Sequence, residues 1–389
     1  MMTQRTRDVY DVIIIGAGSI GVPTAYFMAK AGLKVLVIEM YPSVGQASNK
    51  HAIGGIRATH SDPAKINLGK RSIEVFSNWQ SRYGDDIEWQ QGGYSYVAYQ
   101  EQHANLLKDL ISWQQEHDLN ISWLDKQDLL GILPNLNTDQ LIGGTFSPGD
   151  GSASPLISAF AFHKQAAEAG AVFHFNETVI DFVFTGSRVS GIKTNRGIYY
   201  SQYVINAGGG WAKSLSSKIG LKVPVEPDSH EAAITEPVVR IFKPMIVDMR
   251  AYPGSANFYF YQHPTGKIIF CMTPDPPIWG THTIASSDFL PRAARRLIEL
   301  MPVLKYIRVR RVWRGTYPMT PDGSPIIGKV DGLEGYLLAV GMCGQGFMFG
   351  PGVGQLLTHQ VLGKLDNVDQ VILHNLSYHR NFDIEERLK

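Results

Sequence analysis

Cysteine is scarce in this sequence, which has only Cys271 and Cys343, far apart and outside any C-x-x-C motif. A redox-active disulfide or a cysteine-based zinc site would need closely spaced cysteines. The sequence therefore argues against both, predicts no metal site, and fits a compartment in which thiols stay reduced.

Charge of one sign and long apolar runs are also missing. The 36 basic residues nearly balance the 35 acidic ones, with no basic stripe for nucleic acid and no polybasic cluster for a membrane surface. No apolar run is long enough to span a bilayer, and the polar segment 1–8 does not read as a secretory signal. We therefore expect a cytoplasmic protein, and 389 residues are enough for two domains.

Glycine, in contrast, is concentrated at functional positions, first at 16–21, which reads GAGSIG. The apolar run 11–15 before it predicts a buried parallel strand, 23–31 predicts a helix, and 34–39 predicts a second strand. Strand, glycines, helix, second strand and terminal acid together predict a dinucleotide-binding turn. The alternative is an ordinary glycine-rich turn between a strand and a helix.

Each residue of this turn has a physical role in the prediction. Gly16 permits the tight turn, Gly18 lets a pyrophosphate approach the backbone, and Gly21 lets the helix pack closely on the strand. The N–H groups at the start of the helix, near Ser19 and Ile20, would face the phosphates. An acid at the end of the second strand accepts hydrogen bonds from ribose hydroxyls, and the residues in that place are Glu39 and Met40.

The rest of the chain predicts a mixed α/β fold in which two domains interleave. A nucleotide domain is predicted from 9–85, 145–220 and 310–389, and a second domain with an antiparallel sheet from 86–144 and 221–309. Helices are predicted at 64–83, 103–117, 158–169, 293–300 and 352–362. Further strands are predicted at 93–99, 172–175, 180–184, 188–193, 197–200, 203–207, 258–261, 267–270 and 335–340.

A second glycine-rich turn follows the last predicted strand, over 341–354. Its backbone N–H groups could hold a negative charge, although glycines there could serve only close helix packing. The segment 320–328, which reads TPDGSPIIG, lies shortly before it.

These segments resemble the FAD-dependent amine and amino-acid oxidoreductases of the D-amino-acid-oxidase superfamily. The resemblance also rests on 45–48, 54–57, 205–208 with Trp211, and 313–315. It covers almost the whole chain and is strongest for the sarcosine oxidase and proline dehydrogenase β-subunit group, with glycine oxidase nearby. It implies a Rossmann-like FAD-binding domain interleaved with an antiparallel-sheet substrate domain.

The resemblance also implies which residues bind FAD. They are Gly16, Gly18, Ser19, Ile20, Gly21, Glu39, Met40, Ser48, Asn49, His51, Gly54, Gly55, Val179, Ala207, Gly208, Trp211, Gly315, Gly344, Gly346, Phe347 and Met348.

Departures from the family pattern refine this expectation. Gly315 stands where some relatives attach FAD through a cysteine, so we expect non-covalent FAD. Pro155 stands where some β-subunits attach FMN through a histidine, which argues against covalent FMN. Ile269 and Met348 replace two lysines, one that promotes reaction with oxygen and one that binds carboxylate, although Lys267 is close to Ile269. A dehydrogenase is therefore favoured over an oxidase.

Three residues are predicted to act on the substrate, namely Arg57, Tyr259 and Tyr317. The planar guanidinium of Arg57 suits a carboxylate, but a flavin-side ion pair or a surface salt bridge is an equal alternative. Core packing is the alternative for Tyr259. Arg314 is a weaker second cation.

The histidines carry less weight in this interpretation. His230 is predicted to be a sheet residue, and His60 and His263 to be surface or loop residues.

Together these features predict flavin-dependent oxidation of a small amino or imino acid by hydride transfer from the α- or N-methyl carbon to FAD N5. The candidates are sarcosine, proline, glycine and D-amino acids. One alternative is the FAD subunit of a heteromeric dehydrogenase that passes electrons to a partner subunit or acceptor protein. Another is a flavin-binding subunit without turnover. No second dinucleotide motif or cysteine pair supports a pyridine-nucleotide disulfide reductase.

Overall fold

A computed structural model describes residues 9–383 and 385–388. It confirms the mixed α/β fold, with two large sheets and a short two-stranded one. The strands are β1 (Val9–Ile15), β2 (Val35–Ile38), β3 (Gly55–Ile56), β4 (Tyr94–Ala98), β5 (Ser122–Asp125), β6 (Gly143–Phe146), β7 (Gly151–Ser152), β8 (Val172–His174), β9 (Val179–Thr185), β10 (Arg188–Thr194), β11 (Ile198–Asn206), β12 (Glu226–Thr235), β13 (Met245–Asp248), β14 (Ser255–Gln262), β15 (Ile268–Pro274), β16 (Val309–Met319), β17 (Ile326–Val330) and β18 (Leu333–Val340).

The helices pack on both faces of each large sheet. They are α1 (Gly21–Lys30), α2 (Pro63–Ser77), α3 (Trp79–Tyr83), α4 (Glu101–Glu116), α5 (Lys126–Ile132), α6 (Pro155–Glu168), α7 (Ala212–Ser217), α8 (Phe289–Leu300), α9 (Gly346–Leu362) and α10 (Asn367–Asn375). Among the residues described, no helix is long and apolar enough to cross a membrane. The polar segment 1–8 lies outside the described residues.

The first sheet brings four loops to one edge. Its order is β17-β18-β11-β1-β2-β8, and β18, β11, β1 and β2 run parallel to one another. Both faces of β1 are buried, since Ile14 packs in a cluster with α1 and α9 and Ile13 in a cluster on the opposite face. Because parallel strands end at the same edge, the loops that follow Ile15, Ile38 and Asn206 meet there, beside the loop after β18.

The second sheet has the order β16-β12-β15-β14-β13-β4-β6-β5 and is antiparallel except for the pair β4 and β13. One of its faces packs against α8 through a cluster that includes Phe258, Phe270 and Phe289. The alternate residues of its strands face the other way, toward the first sheet. The domain boundaries stay a prediction; β16 (Val309–Met319) pairs with β12 in this second sheet.

Three differences separate the predicted elements from the structure. The helix predicted at 64–83 is two helices, because Asn78 leaves helical geometry and its side-chain amide donates to the Glu74 carbonyl oxygen at 2.8 Å. The strands predicted at 197–200 and 203–207 form one strand, β11, which pairs with β10 on one side and β1 on the other.

The third difference concerns the last long helix. It begins at Gly346, earlier than the predicted 352, so part of the second glycine-rich turn is helical. Two positions inside this helix must be glycine because the backbone of neighbouring segments packs directly against them. A Cβ on Gly350 would lie 2.0 Å from the Ser19 carbonyl oxygen, and one on Gly352 would lie 2.5 Å from the Leu68 carbonyl oxygen.

Candidate active site

A cavity of about 580 Å³ lies at the edge where the parallel strands end, between the two sheets. This volume is within the usual range for small-molecule and cofactor sites. Every predicted site residue lines the cavity except Gly21. The lining residues are Gly16, Gly18, Ser19, Ile20, Glu39, Met40, Ser48, Asn49, His51, Gly54, Gly55, Arg57, Val179, Ala207, Gly208, Trp211, Tyr259, Gly315, Tyr317, Gly344, Gly346, Phe347 and Met348.

In the first glycine-rich turn, Gly16 and Gly21 are needed for close packing, whereas Gly18 faces open space. A Cβ on Gly21 would lie 1.8 Å from the Gly16 carbonyl oxygen, so this residue must be glycine for α1 to approach β1. Gly16 has a φ of +104°, and a Cβ there would lie 2.7 Å from the Ala207 carbonyl oxygen. A Cβ on Gly18 would meet nothing within 4 Å, so the space in front of its backbone is free for a ligand.

The carboxylate of Glu39, directly after β2, connects the backbone of two loops. Its Oε2 accepts a hydrogen bond from the Ala17 N–H at 2.7 Å, and its Oε1 accepts one from the Tyr41 N–H at 2.9 Å. Burial raises the pKa of Glu39, and these backbone donors partly offset that effect. Each carboxylate oxygen has a second acceptor site, so Glu39 can also accept from hydroxyls in the cavity.

A 3₁₀ helix over Ser48–His51 forms another wall. The Asn49 amide donates to the Pro155 carbonyl oxygen at 2.9 Å, while its buried Oδ1 has no hydrogen-bond partner. The Trp313 indole N–H donates to the His51 carbonyl oxygen at 2.8 Å. A Cβ on Gly315 would lie 2.5 Å from the His51 Cβ, so a cysteine side chain at 315 would displace this wall.

The second glycine-rich turn places the N-terminus of α9 beside the cavity. Gly341, Cys343 and Gly344 all have positive φ, and Cys343, at φ +48°, is the one among them that carries a side chain. The Gln345 Oε1, also buried at the lining, has no hydrogen-bond partner. The positive ends of α1 and α9 therefore lie at one cavity, which favours negative charge on a ligand there.

A polar cluster closes the end of the cavity on the second sheet. The hydroxyls of Tyr259 and Tyr317 lie 2.8 Å apart, and burial raises the pKa of both. Burial also raises the pKa of the Cys271 thiol, which hydrogen bonds with the two tyrosines, to about 12. All three groups are therefore neutral hydrogen-bonding groups at physiological pH.

Next to this cluster lies His230, which the sequence prediction assigned only to the sheet. Its ring stacks on Tyr317 with 3.8 Å between centroids, and its Nε2 lies 3.2 Å from Asp228 Oδ2. Burial raises the pKa of Asp228, but the interaction with His230 and the backbone N–H donors of Ser229 and Ile278 together outweigh it and leave this pKa below its usual value. Asp228, His230 and Ala232 line the cavity because alternate residues of a strand share a face. That alternation is the signal that could have identified His230.

Arg57 is buried in the cavity wall, with only 6% of its surface exposed. Its Nη2 donates to the Leu388 carbonyl oxygen at 2.8 Å, and its Nη1 donates to the Thr59 carbonyl oxygen. The guanidinium lies over the Tyr96 ring, 5.6 Å from the centroid. Arginine has five N–H donors, so these two contacts leave three for other acceptors.

Other candidates lie away from the cavity. Arg314 pairs with Glu231 at 3.1 Å and is absent from the lining. On β15 the lining residues include Cys271 and Thr273, whereas Ile269 packs in an apolar cluster outside the lining.

His60 and His263, both predicted to be surface or loop residues, differ in burial. His263 is a loop residue, as predicted, and its ring lies 2.8 Å from the Thr265 hydroxyl. His60 also lies in a loop, but it is not at the surface, because its side chain is fully buried against Phe349. Within the described ranges, 9–383 and 385–388, no group of three His, Cys, Asp or Glu could hold a metal ion.

A sequence model of the family described as FAD dependent oxidoreductase (DAO) matches residues 11–360. Among solved structures, L-proline dehydrogenase from P. horikoshii superposes with a TM-score of 0.89 and 28% identity, covering 96% of this chain and 98% of that one.

Two curated relatives have similar identities but different lengths. Human mitochondrial dimethylglycine dehydrogenase is 26% identical over 376 residues, which are 92% of this chain and 43% of that protein. Hydrogen cyanide synthase subunit HcnC of Pseudomonas protegens is 26% identical over 393 residues, 90% of this chain and 91% of that protein. The chain thus spans less than half the length of the first relative and nearly all of the second.

Proposed function

The chain belongs to the family of FAD-dependent oxidoreductases, and we propose that it oxidises a small amino or imino acid at the carbon bonded to nitrogen. A hydride would pass from this carbon to N5 of the flavin. The observation that carries the proposal is one cavity that joins the dinucleotide turn to a buried chamber containing Arg57, Tyr259 and Tyr317.

The residues present fit FAD. Free space lies in front of Gly18 for a pyrophosphate, and Glu39 is held at the strand end where ribose hydroxyls can donate to it. The unpartnered oxygens of Asn49 and Gln345 are buried acceptors at the lining, as expected where a ligand supplies the donors. Bound FAD would supply the electron-accepting chemistry, while the protein binds and orients the substrate.

Arg57 is proposed to hold the carboxylate of the substrate. A guanidinium binds a carboxylate with two parallel hydrogen bonds, and its three remaining donors permit this. The Tyr96 ring and the two backbone carbonyls fix the plane of the guanidinium, so less side-chain freedom is lost on binding.

The amine end of the substrate would meet Tyr259 and Tyr317. Oxidation needs the neutral amine, because an ammonium nitrogen has no lone pair to assist loss of a hydride. Two neutral hydroxyls offer hydrogen bonds to an amine nitrogen without the charge that would favour its protonated form. The Asp228–His230 pair orients Tyr317 from behind by stacking.

The N-terminus of α9 would lie beside the flavin ring. Its free N–H groups and positive dipole end stabilise negative charge that develops during the reaction. Gly344 and Gly346 leave this backbone accessible, whereas a side chain at Gly344 would collide with the Tyr317 ring at 2.2 Å.

A second proposal is that the chain is the FAD subunit of a heteromeric dehydrogenase. It is supported by the similarity to a protein named as a hydrogen cyanide synthase subunit, which the chain matches over nearly its full length. The sequence also has Ile269 and Met348 in place of two lysines of relatives, and the β15 residues that line the cavity, Cys271, Thr273 and Pro274, include no lysine, which favours an acceptor other than oxygen. A flavin-binding subunit without turnover is the third possibility.

The test is an anaerobic screen of the purified flavoprotein against sarcosine, glycine, proline and D-amino acids. We expect the flavin absorbance to bleach with one class of amino acid, and to recover faster with an artificial dye than with air. Bleaching by none of them, while dithionite still bleaches the flavin, would contradict an enzyme of this class. The size of the complex purified from its source distinguishes a lone enzyme from a subunit.

A further inference from the structure

Glu386 and Leu388, in the segment 385–388, are buried against the wall of the cavity, although they are remote in sequence from the wall residues. Leu388 is 1% exposed and packs in a cluster with Tyr94, Tyr96 and Met245. These three residues line the cavity. The segment therefore forms an outer layer behind the wall that holds Arg57.

A buried ion pair anchors this segment. The carboxylate of Glu386 lies 3.1 Å from the Lys65 ammonium, and both side chains are fully buried. The Lys65 ammonium also donates to the Gly323 carbonyl oxygen at 2.8 Å. Burial raises the pKa of Glu386, but Lys65 and the other neighbours outweigh it and hold this pKa far below its usual range.

The same carboxylate ties the segment to the loop that follows Arg57. Glu386 Oε1 accepts from the Ser61 N–H at 2.9 Å and from the Ser61 hydroxyl at 2.6 Å. The Ser61 hydroxyl oxygen in turn accepts from the Arg387 N–H at 2.9 Å. Segment and loop are therefore held to each other at several points.

The segment then touches Arg57 directly through its backbone. The Leu388 carbonyl oxygen accepts from Nη2 at 2.8 Å, while the Thr59 carbonyl oxygen accepts from Nη1. A carbonyl at each Nη leaves the guanidinium with one orientation. A bidentate contact to a carboxylate depends on such orientation, because a small displacement misaligns both hydrogen bonds.

We propose that the segment 385–388 is a positioning strap, which holds the Arg57 guanidinium in the plane that receives the carboxylate of the substrate. This inference rests on the proposed function, in which Arg57 binds that carboxylate. None of residues 385–388 lines the cavity, so the strap would act on the substrate through Arg57.

The test removes the strap without leaving an unpaired buried charge. The test variant lacks residues 385–389 and carries Lys65→Met. The matched control is the full-length double variant Lys65→Met/Glu386→Leu, which loses the ion pair but keeps the Leu388 carbonyl. Replacing both members of a buried ion pair by apolar residues is often tolerated, whereas removing one is not.

We expect the test variant to retain FAD. We also expect an amine that matches the substrate but lacks its carboxylate to reduce the flavin of this variant as it does in wild type. Its half-saturating concentration of the carboxylated substrate should rise about 10-fold, which corresponds to about one lost hydrogen bond. The control loses the Glu386 anchor but keeps the Leu388 carbonyl and its packed side chain, so its rise should be smaller than that of the truncated variant. In an Arg57→Met background the truncation should have no further effect, because the residue through which the strap acts is gone.

Two other results have distinct meanings. If Arg57→Met raises the half-saturating concentration but the truncation does not, the strap proposal is wrong and the proposed role of Arg57 stands. If Arg57→Met itself has no effect, the role of Arg57 is wrong and the strap proposal falls with it.

A full-length variant covers the case in which the truncated chain fails to fold. Leu388→Gly keeps the carbonyl but removes the side chain that anchors it in the cluster. We expect about a 3-fold rise for the carboxylated substrate and none for the amine, on the scale of a partly lost hydrogen bond. Equal effects on both compounds would overturn the proposal.

Discussion

Replacement of Arg57 by methionine tests how the substrate is held. Methionine keeps an unbranched side chain of similar length but removes all five N–H donors and the charge. Three of those donors are free of backbone contacts in the structure. Losing a charge-assisted hydrogen bond costs about 1.5–3 kcal/mol. The half-saturating concentration of a carboxylated substrate should therefore rise roughly 10- to 100-fold.

The assay is an anaerobic titration in which the rate of flavin bleaching is followed against substrate concentration. Each amino acid is paired with the amine that lacks its carboxylate, and this amine should be little affected by Arg57→Met. Because the substitution also leaves the Thr59 and Leu388 carbonyl oxygens without their donor, FAD content and melting temperature are measured alongside. Arg57→Lys is the matched variant, since lysine keeps the charge but has no planar fork.

The reasoning would be refuted if Arg57→Met followed the wild-type concentration dependence with FAD and melting temperature intact. The carboxylate would then be held elsewhere. Tyr259 would be the next candidate, because Arg314 is paired with Glu231 outside the cavity lining.

Four further predictions concern the cofactor and pH. Acid precipitation should leave the flavin in the supernatant, because Gly315 has no attachment group and no room for one; flavin in the pellet would contradict this. Gly18→Val should abolish FAD binding by filling the space for the pyrophosphate, and Glu39→Ala should weaken binding by about 1–3 kcal/mol in a fluorescence titration. Asp150 is a buried residue whose carboxylate accepts from the Ala58 N–H at 2.9 Å. Burial raises the pKa of Asp150 to about 6, so the folded chain favours the protonated form, and this contribution to stability is lost as pH rises from about 4 to about 6. The measurement is urea unfolding of wild type and Asp150→Asn at a fixed FAD concentration. Relative to the variant, the free energy of unfolding of wild type should fall by about 3 kcal/mol across that pH window and stay level above it. A difference between the two proteins that does not depend on pH would contradict the assignment.

The dinucleotide site was predictable because its determinants are local. The strand, the turn at 16–21, the helix and Glu39 follow one another within one stretch of sequence. Parallel strands then place the remaining loops at the same edge, so residues from 48 to 348 line one cavity. The start of α9 was harder to predict, because glycines and Pro351 disfavour helix unless close packing requires them.

The parts that sequence reasoning missed depend on distant contacts. The Leu388 carbonyl oxygen is 331 positions from Arg57, and no pattern near either residue indicates their contact. Lys65 reads as an ordinary exposed position of an amphipathic helix, yet it is fully buried because Glu386 pairs with it. His60 is buried through another distant contact, since its ring packs against Phe349 with 5.1 Å between centroids.

We propose above all that a small amino or imino acid loses a hydride from the carbon next to its nitrogen, with FAD as the acceptor. The most direct test is anaerobic single-turnover mixing of the flavoprotein with its best amino acid, unlabelled and deuterated at that carbon. We predict that the flavin bleaches fully with both, and more slowly with the deuterated compound because a C–H bond breaks in the step. A flavin that stays oxidised with every amino acid tested, although dithionite reduces it, would contradict the account.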